Sequence, residues 1–141
     1  MSARGESAVF GLRAEKQLAE RFRHCGREVS FRPRSSPFDL LVDGWQIELK
    51  SSRPRAASRD WYFNFHRHGK MNQKPVDFYV LRLDDFPSCK YPIYLLLASP
   101  APSKGMRVSV RSFVEEHLLL GVDFQRFARG EFGRPKSEAA A

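Results

Sequence analysis

The stretch Phe38-Asp39-Leu40-Leu41-Val42-Asp43-Gly44-Trp45-Gln46-Ile47-Glu48-Leu49-Lys50 sets the architecture of this chain. Two strand-like runs flank Asp43-Gly44, a pair whose tolerance of positive φ makes it a strong signal for a two-residue hairpin. Such a short loop fixes the register: Val42 faces Trp45, Leu41 faces Gln46, Leu40 faces Ile47, and Asp39 is expected opposite Glu48. Directly opposed residues have Cβ atoms roughly 4.5 to 5.5 Å apart, where like charges destabilise a sheet. Folding alone gives no reason for two carboxylates there. Strand alternation adds Lys50 to the face of Glu48 and turns Ile47 and Leu49 to the other.

Two carboxylates beside an amine suit a hard cation. Mg²⁺ prefers oxygen ligands, keeps several waters, and is commonly held by one or two carboxylates together with a substrate phosphate. Lys50 is then placed to orient water for attack on phosphorus or to offset charge developing in the transition state. The bland alternative is a solvated sheet face on which Lys50 neutralises one carboxylate.

Upstream, residues 7–24 read as an amphipathic helix with Gly11, Leu12, Leu18, Ala19 and Phe22 on one face, ended by Gly26. Glu15 falls within that stripe, and a charge on a core-facing stripe needs a partner. Either a salt bridge to an arginine or an approach to Asp39 and Glu48, as a further carboxylate of the site, answers that need. A short strand around Glu28 to Phe31 and a polar loop, Arg32-Pro33-Arg34-Ser35-Ser36-Pro37, lead into the hairpin.

Downstream, Trp61, Phe63 and Phe65 alternate as on a strand. The near-continuous apolar runs Val76 to Leu83 and Pro92 to Ala98 suit central strands covered on both faces. Arg107 to Val110 reads as an edge strand, and Arg111 to Leu120 as a closing helix ended by Gly121. Together these elements predict an α/β domain with a mixed central sheet over residues 1–128 and a flexible polar tail over 129–141.

With 141 residues, 42% of them hydrophobic and 13% aromatic, the chain has enough apolar material for one core without staples. Its net charge of +8 favours a polyanionic partner, nucleic acid ahead of an anionic membrane. Apolar runs such as Tyr94 to Ala98 are too short to span a bilayer, and the polar start lacks a signal-peptide core. We therefore expect no membrane partner and an intracellular, cytoplasmic protein. Cys25 and Cys89 match no metal-ligand spacing and need not pair.

Residues 51–74 hold Arg53, Arg55, Arg59, Arg67, Lys70 and Lys74 against one acid, Asp60, interleaved with Trp61, Tyr62, Phe63 and Phe65. Cations near phosphates and aromatics near bases suit nucleic-acid contact. We expect Trp61, Phe63 and Phe65 in the core, with Arg53, Arg55, Arg67 and Lys70 facing substrate, joined by Arg34 and Ser52. His66 and His68 are expected as further phosphate contacts, and Asp77 as a partner in a structural ion pair.

The segment Ser36-Pro37-Phe38-Asp39, eight residues, then Glu48-Leu49-Lys50, preceded by Gly11-Leu12-Arg13-Ala14-Glu15, resembles the motif and N-terminal helix of the PD-(D/E)XK nuclease superfamily. The likeness covers about the first 52 residues. It implies a restriction endonuclease-like αβββαβ core, with Mg²⁺, or Mn²⁺ in its place, bound by Asp39, Glu48 and the Leu49 carbonyl. It also implies Lys50 near the attacking water and Glu15 as the helix carboxylate. A metal-dependent deoxyribonuclease acting on duplex or branched DNA follows from this resemblance, the preference for DNA resting on it alone. A Holliday-junction resolvase-like homodimer and a catalytically silent DNA-binding module are the alternatives. The family usually places a crossover helix after the lysine, whereas residues 53–75 here look strand-like and basic.

Overall fold

Asp43 and Gly44 take positive φ, 46° and 91°, in the computed structural model of the chain, as a type I′ hairpin turn requires. The structure describes residues 3–33, 38–67, 70–71, 76–111, 113 and 115–135. In chain order these form α1 (Ala3–His24), β1 (Val29–Phe31), β2 (Leu40–Val42), β3 (Trp45–Ser52), β4 (Asp60–Phe63), β5 (His66–Arg67), β6 (Lys70–Met71), β7 (Phe78–Leu83), β8 (Ile93–Ala98), β9 (Met106–Ser109) and α2 (Glu115–Ala128).

The hairpin register matches the sequence expectation from Val42 and Trp45 out to Leu40 and Ile47. Around it builds a five-stranded mixed sheet in the order β1-β2-β3-β7-β8. Only the β3–β7 pairing is parallel, with Glu48 beside Tyr79 and Lys50 beside Leu81. Strand alternation divides the core in two. One face carries Leu40, Val42, Ile47, Val80 and Leu96 against Leu18, Ala19 and Phe22 of α1 and Phe124, Phe127 and Ala128 of α2. The other carries Tyr79, Leu81, Leu83 and Leu95 against Trp61, Phe63, Phe65 and Val108 of the β4–β9 ribbon and its flank.

Both helices stop the same way. After α1, Gly26 takes φ 78°, and the N–H groups of Gly26 and Arg27 return to the carbonyls of Arg23 and Phe22 at 2.9 and 3.0 Å, a Schellman closure that favours glycine. After α2 the same pair of bonds runs from Gly130 to Phe127 and from Glu131 to Arg126, at 2.9 and 3.0 Å.

Several sequence expectations change. The crossover from β3 to β7 contains no helix among its described residues; β4, β5 and β6 occupy it. The period-two burial of Trp61, Phe63 and Phe65, each at most 2% exposed, commits that segment to pairing with β9. The closing helix starts at Glu115 and runs through Gly121, because the apolar pattern continues to Phe124, Phe127 and Ala128. β8 lies at the sheet edge rather than its centre, yet Leu95 and Leu96 are buried on its two faces. α2 follows this strand, packing Leu120 against one core and Phe124 and Phe127 into the other, which covers an otherwise open edge. Leu12, expected in the helix stripe, is 43% exposed.

Residues 129–135, expected to belong to the polar tail, close over the sheet. Phe132 packs edge-on to Phe78 and Phe127, and the Trp45 indole N–H donates to the Gly133 carbonyl at 2.8 Å.

Candidate active site

The ladder between β2 and β3 stops at Leu40, and the reason lies in Asp39. In a two-residue hairpin the hydrogen-bonded positions of β3 are Trp45, Ile47 and Leu49, so a continued ladder would give the Leu49 N–H a main-chain carbonyl of residue 38. Instead it donates to Asp39 Oδ2 at 2.8 Å. The Asp39 N–H meanwhile bonds the Ile47 carbonyl at 3.0 Å. Asp39 therefore does not stand squarely opposite Glu48, as the simple register predicts. Its carboxylate sits at the edge of β3 on a main-chain donor, a charge-assisted bond that relieves the expected repulsion.

This arrangement gathers four groups. A residue in a ladder points its N–H and C=O the same way, so the Leu49 carbonyl faces the edge where the Asp39 carboxylate sits. Glu48 and Lys50 project from the adjacent sheet face, with Glu48 Oε1 and Lys50 Nζ 3.5 Å apart and their side chains 15% and 28% exposed. Their neighbours across β7 are buried Tyr79 and Leu81. The charges thus lie beside an apolar wall, a setting that strengthens electrostatic contacts relative to bulk water.

The donor set fits Mg²⁺ in chemistry: two carboxylates and a main-chain carbonyl, all oxygen. Glu15 does not complete a triad. α1 packs on the Ile47 face, opposite to Glu48 and Lys50, and among the described residues no group of three His, Cys, Asp or Glu side chains gathers to hold a metal ion. Glu15 is half-buried and engaged with other residues.

The expected nucleic-acid contacts separate. Arg34, with Ser36 and Pro37 of the motif, lies outside the described residues, as do His68 and the side chains of His66, Arg67 and Lys70. Ser52 is used internally, its Oγ accepting the Tyr62 N–H at 3.2 Å and so tying β3 to β4. Arg55 grips Asp60 through Nε and Nη2 at 2.7 and 3.0 Å. Arg107 adds a second cation to Asp60 at 3.0 Å, and Ser58 donates to it at 2.7 Å. Arg55's hydrogen bonds, then that of Ser58, hold the Asp60 carboxyl down at about 2. Arg53 is exposed and engaged elsewhere. Trp61, Phe63 and Phe65 are buried as expected, while Tyr62 is 41% exposed with the Arg55 guanidinium 5.5 Å from its ring centre. Asp77 serves structure, as expected, but by hydrogen bond: its Oδ2 accepts the Gln46 N–H at 2.8 Å.

Sequence reading placed Arg55 and Arg59 in a basic segment but missed that Arg107 and Arg111 join them along a groove of about 920 Å³. Its sequence signal was present, since Arg107, Ser109 and Arg111 alternate along one strand direction. Cys25 and Cys89 are free thiols at the surface, and among the described residues no helix is long and apolar enough to cross a membrane. Comparison with models of known protein families and with curated proteins finds no match for the chain.

Proposed function

We propose that this chain is a Mg²⁺-dependent nuclease of the PD-(D/E)XK type, with a restriction endonuclease-like sheet, that hydrolyses phosphodiester bonds in DNA. One observation carries the reading: Asp39 leaves the ladder to set its carboxylate on the Leu49 N–H, 2.8 Å away, beside Glu48 and Lys50. Asp39, Glu48 and the Leu49 carbonyl would hold the ion. Bound there, Mg²⁺ supplies positive charge that polarises a phosphodiester and acidifies water. Lys50 holds the attacking water in line with phosphorus, or offsets charge on the phosphoryl oxygens as the bond to the leaving oxygen breaks. Tyr79 and Leu81 keep bulk water from that side. Half-buried Glu15 would act by positioning rather than as a ligand.

The competing reading is favoured by the 3.5 Å contact of Lys50 with Glu48, which an ordinary sheet-face ion pair would also show. A cleavage assay on duplex, single-stranded and branched DNA, with Mg²⁺, Mn²⁺ or EDTA, separates the two. Wild type should cut only with metal. Lys50→Met should lose cleavage by a hundredfold or more, on the order of a missing transition-state interaction, while retaining DNA binding. Absence of cutting on every substrate with either metal, or full activity in Lys50→Met, rejects the proposal.

A further inference from the structure

The groove beyond the end of β3 is built around one buried carboxylate. Asp60, its side chain 4% exposed, holds Arg55 and Arg107 at once, and both arginine side chains remain substantially open, at 47% and 66%. A guanidinium carries five N–H donors, so the bond to Asp60 consumes only part of each fork and fixes the rest toward the groove. Arg59 and Arg111 line the same space and have no ion-pair partner among the described residues. Four arginines thus face two aspartates, Asp60 and Asp85, and Asp60 is already spent on two of the four.

Backbone geometry points the same way. Arg59 takes φ 54°, in the left-handed region, which is costly for a non-glycine residue and persists where surrounding bonds impose it. Here the Arg59 N–H closes onto the Arg55 carbonyl at 2.8 Å, and the Arg55 N–H onto the Asp60 carbonyl at 2.8 Å. These bonds lock the loop so that Arg55 and Arg59 lie on the rim together. The groove offers no open aromatic platform, because Trp61 is 1% exposed and stacked on Phe86 at 5.0 Å.

Pro54, on the groove wall, follows Lys50 by four residues, at most about 14 Å of extended chain. One DNA strand advances about 3.4 Å per nucleotide along the duplex axis, so the near wall of the groove lies at most about four nucleotides from the Lys50 site. We infer that the Arg55–Arg59–Arg107–Arg111 groove is a phosphate-binding track that grips the backbone of a nucleic-acid strand a few nucleotides from the candidate cleavage site. It reads no bases. This inference rests on the nuclease reading for the identity of its ligand, and a binding measurement in EDTA separates the two.

The probe is a short fluorescein-labelled duplex DNA followed by fluorescence anisotropy in EDTA, between about 50 and 200 mM salt. Arg59→Ala with Arg111→Ala should weaken binding by about tenfold and lower the slope of log affinity against log salt by about 0.9 for each phosphate no longer neutralised. Arg59→Lys with Arg111→Lys should keep most of the slope, because lysine still meets phosphate as a point charge. Arg126→Ala with Arg129→Ala removes the same charge at the far end of α2, where both arginines pair with Glu131, and should leave affinity near wild type. An alanine pair that binds like wild type, an equal loss in the control pair, or no binding by wild type at low salt overturns the groove. Groove-dependent binding without metal-dependent cutting by wild type refutes the nuclease reading and leaves the groove standing.

Discussion

Asp39 performs two tasks with one side chain. It ends the β2–β3 ladder by accepting the Leu49 N–H, and it thereby sets a carboxylate against the residue next to Glu48. A carboxylate fixed by a main-chain donor and set near a second one is a natural cation clamp. Glu48 meets Lys50 at 3.5 Å, with both side chains partly open to solvent. A partly exposed pair at that distance contributes on the order of 1 kcal/mol. Glu48→Gln should therefore shift stability in EDTA by less than about 1 kcal/mol, since little goes with the pair. Added Mg²⁺ should raise the melting temperature of wild type, because a ligand that binds only the folded state stabilises it by mass action. The variant should gain little. Thermal melts of both proteins with and without Mg²⁺ measure this, and a wild type indifferent to Mg²⁺ would count against a metal at this edge.

Among the elements, the hairpin is held at its turn as well as at its ladder. Arg27, just past α1, donates Nε to Asp43 Oδ2 at 2.5 Å and Nη1 to the Phe127 carbonyl. Its guanidinium also lies 5.0 Å from the centre of the Phe127 ring. The Glu28 N–H adds a bond to Asp43 Oδ1 at 3.0 Å. One cation thus joins the end of α1, the tip of the hairpin and the last turn of α2. Burial pushes the Asp43 carboxyl up, but the bonds from Arg27 and Glu28 outweigh it and leave the group below its ordinary value. Removing Arg27 leaves Asp43, 18% exposed, with the Glu28 N–H and with Arg134 at 3.9 Å, so the cost falls between the ~1 kcal/mol of an exposed pair and the roughly 3 to 5 kcal/mol of a fully buried one. Arg27→Met should lower the urea midpoint accordingly, with cleavage by the surviving folded fraction unchanged. A loss below about 1 kcal/mol, the range of an exposed pair, would show that the junction is held by packing alone.

For the folded chain taken together, acid stability depends on carboxylates that the fold holds ionised. Asp60 sits at about 2 against an ordinary 3.8. Its folded value is depressed, so its contribution is complete above 3.8 and disappears as pH falls through 2. Asp60→Asn should be less stable than wild type at neutral pH, and the gap should narrow as pH falls from about 4 toward 2. Urea unfolding across that range tests the link. A gap independent of pH would mean that Asp60 stabilises through shape rather than charge. Between pH 5 and 8 Asp60 stays ionised, so its grip on Arg55 and Arg107 should hold steady there.

Local rules alone were enough for the hairpin, its register as far as Leu40 and Ile47, the glycine that closes α1, and the placing of Glu48 and Lys50 on one face. A two-residue turn demands positive φ, and strand alternation has a period of two, so each of these is written in neighbouring residues. Long-range packing settled the rest. Asp39 slips from its expected partner because a side-chain carboxylate competes for the Leu49 N–H, a choice that no pattern of apolar residues encodes. The helix that carries Glu15 packs on the Ile47 face because Leu18, Ala19 and Phe22 find their core there. The arginine groove exists only because Trp61 and Phe63 bring β4 onto β9, setting Arg55 and Arg59 beside Arg107 and Arg111, about fifty residues later in the chain. Such contacts join segments distant in sequence, and their energy lies in burial and pairing that appear only once the chain has closed on itself.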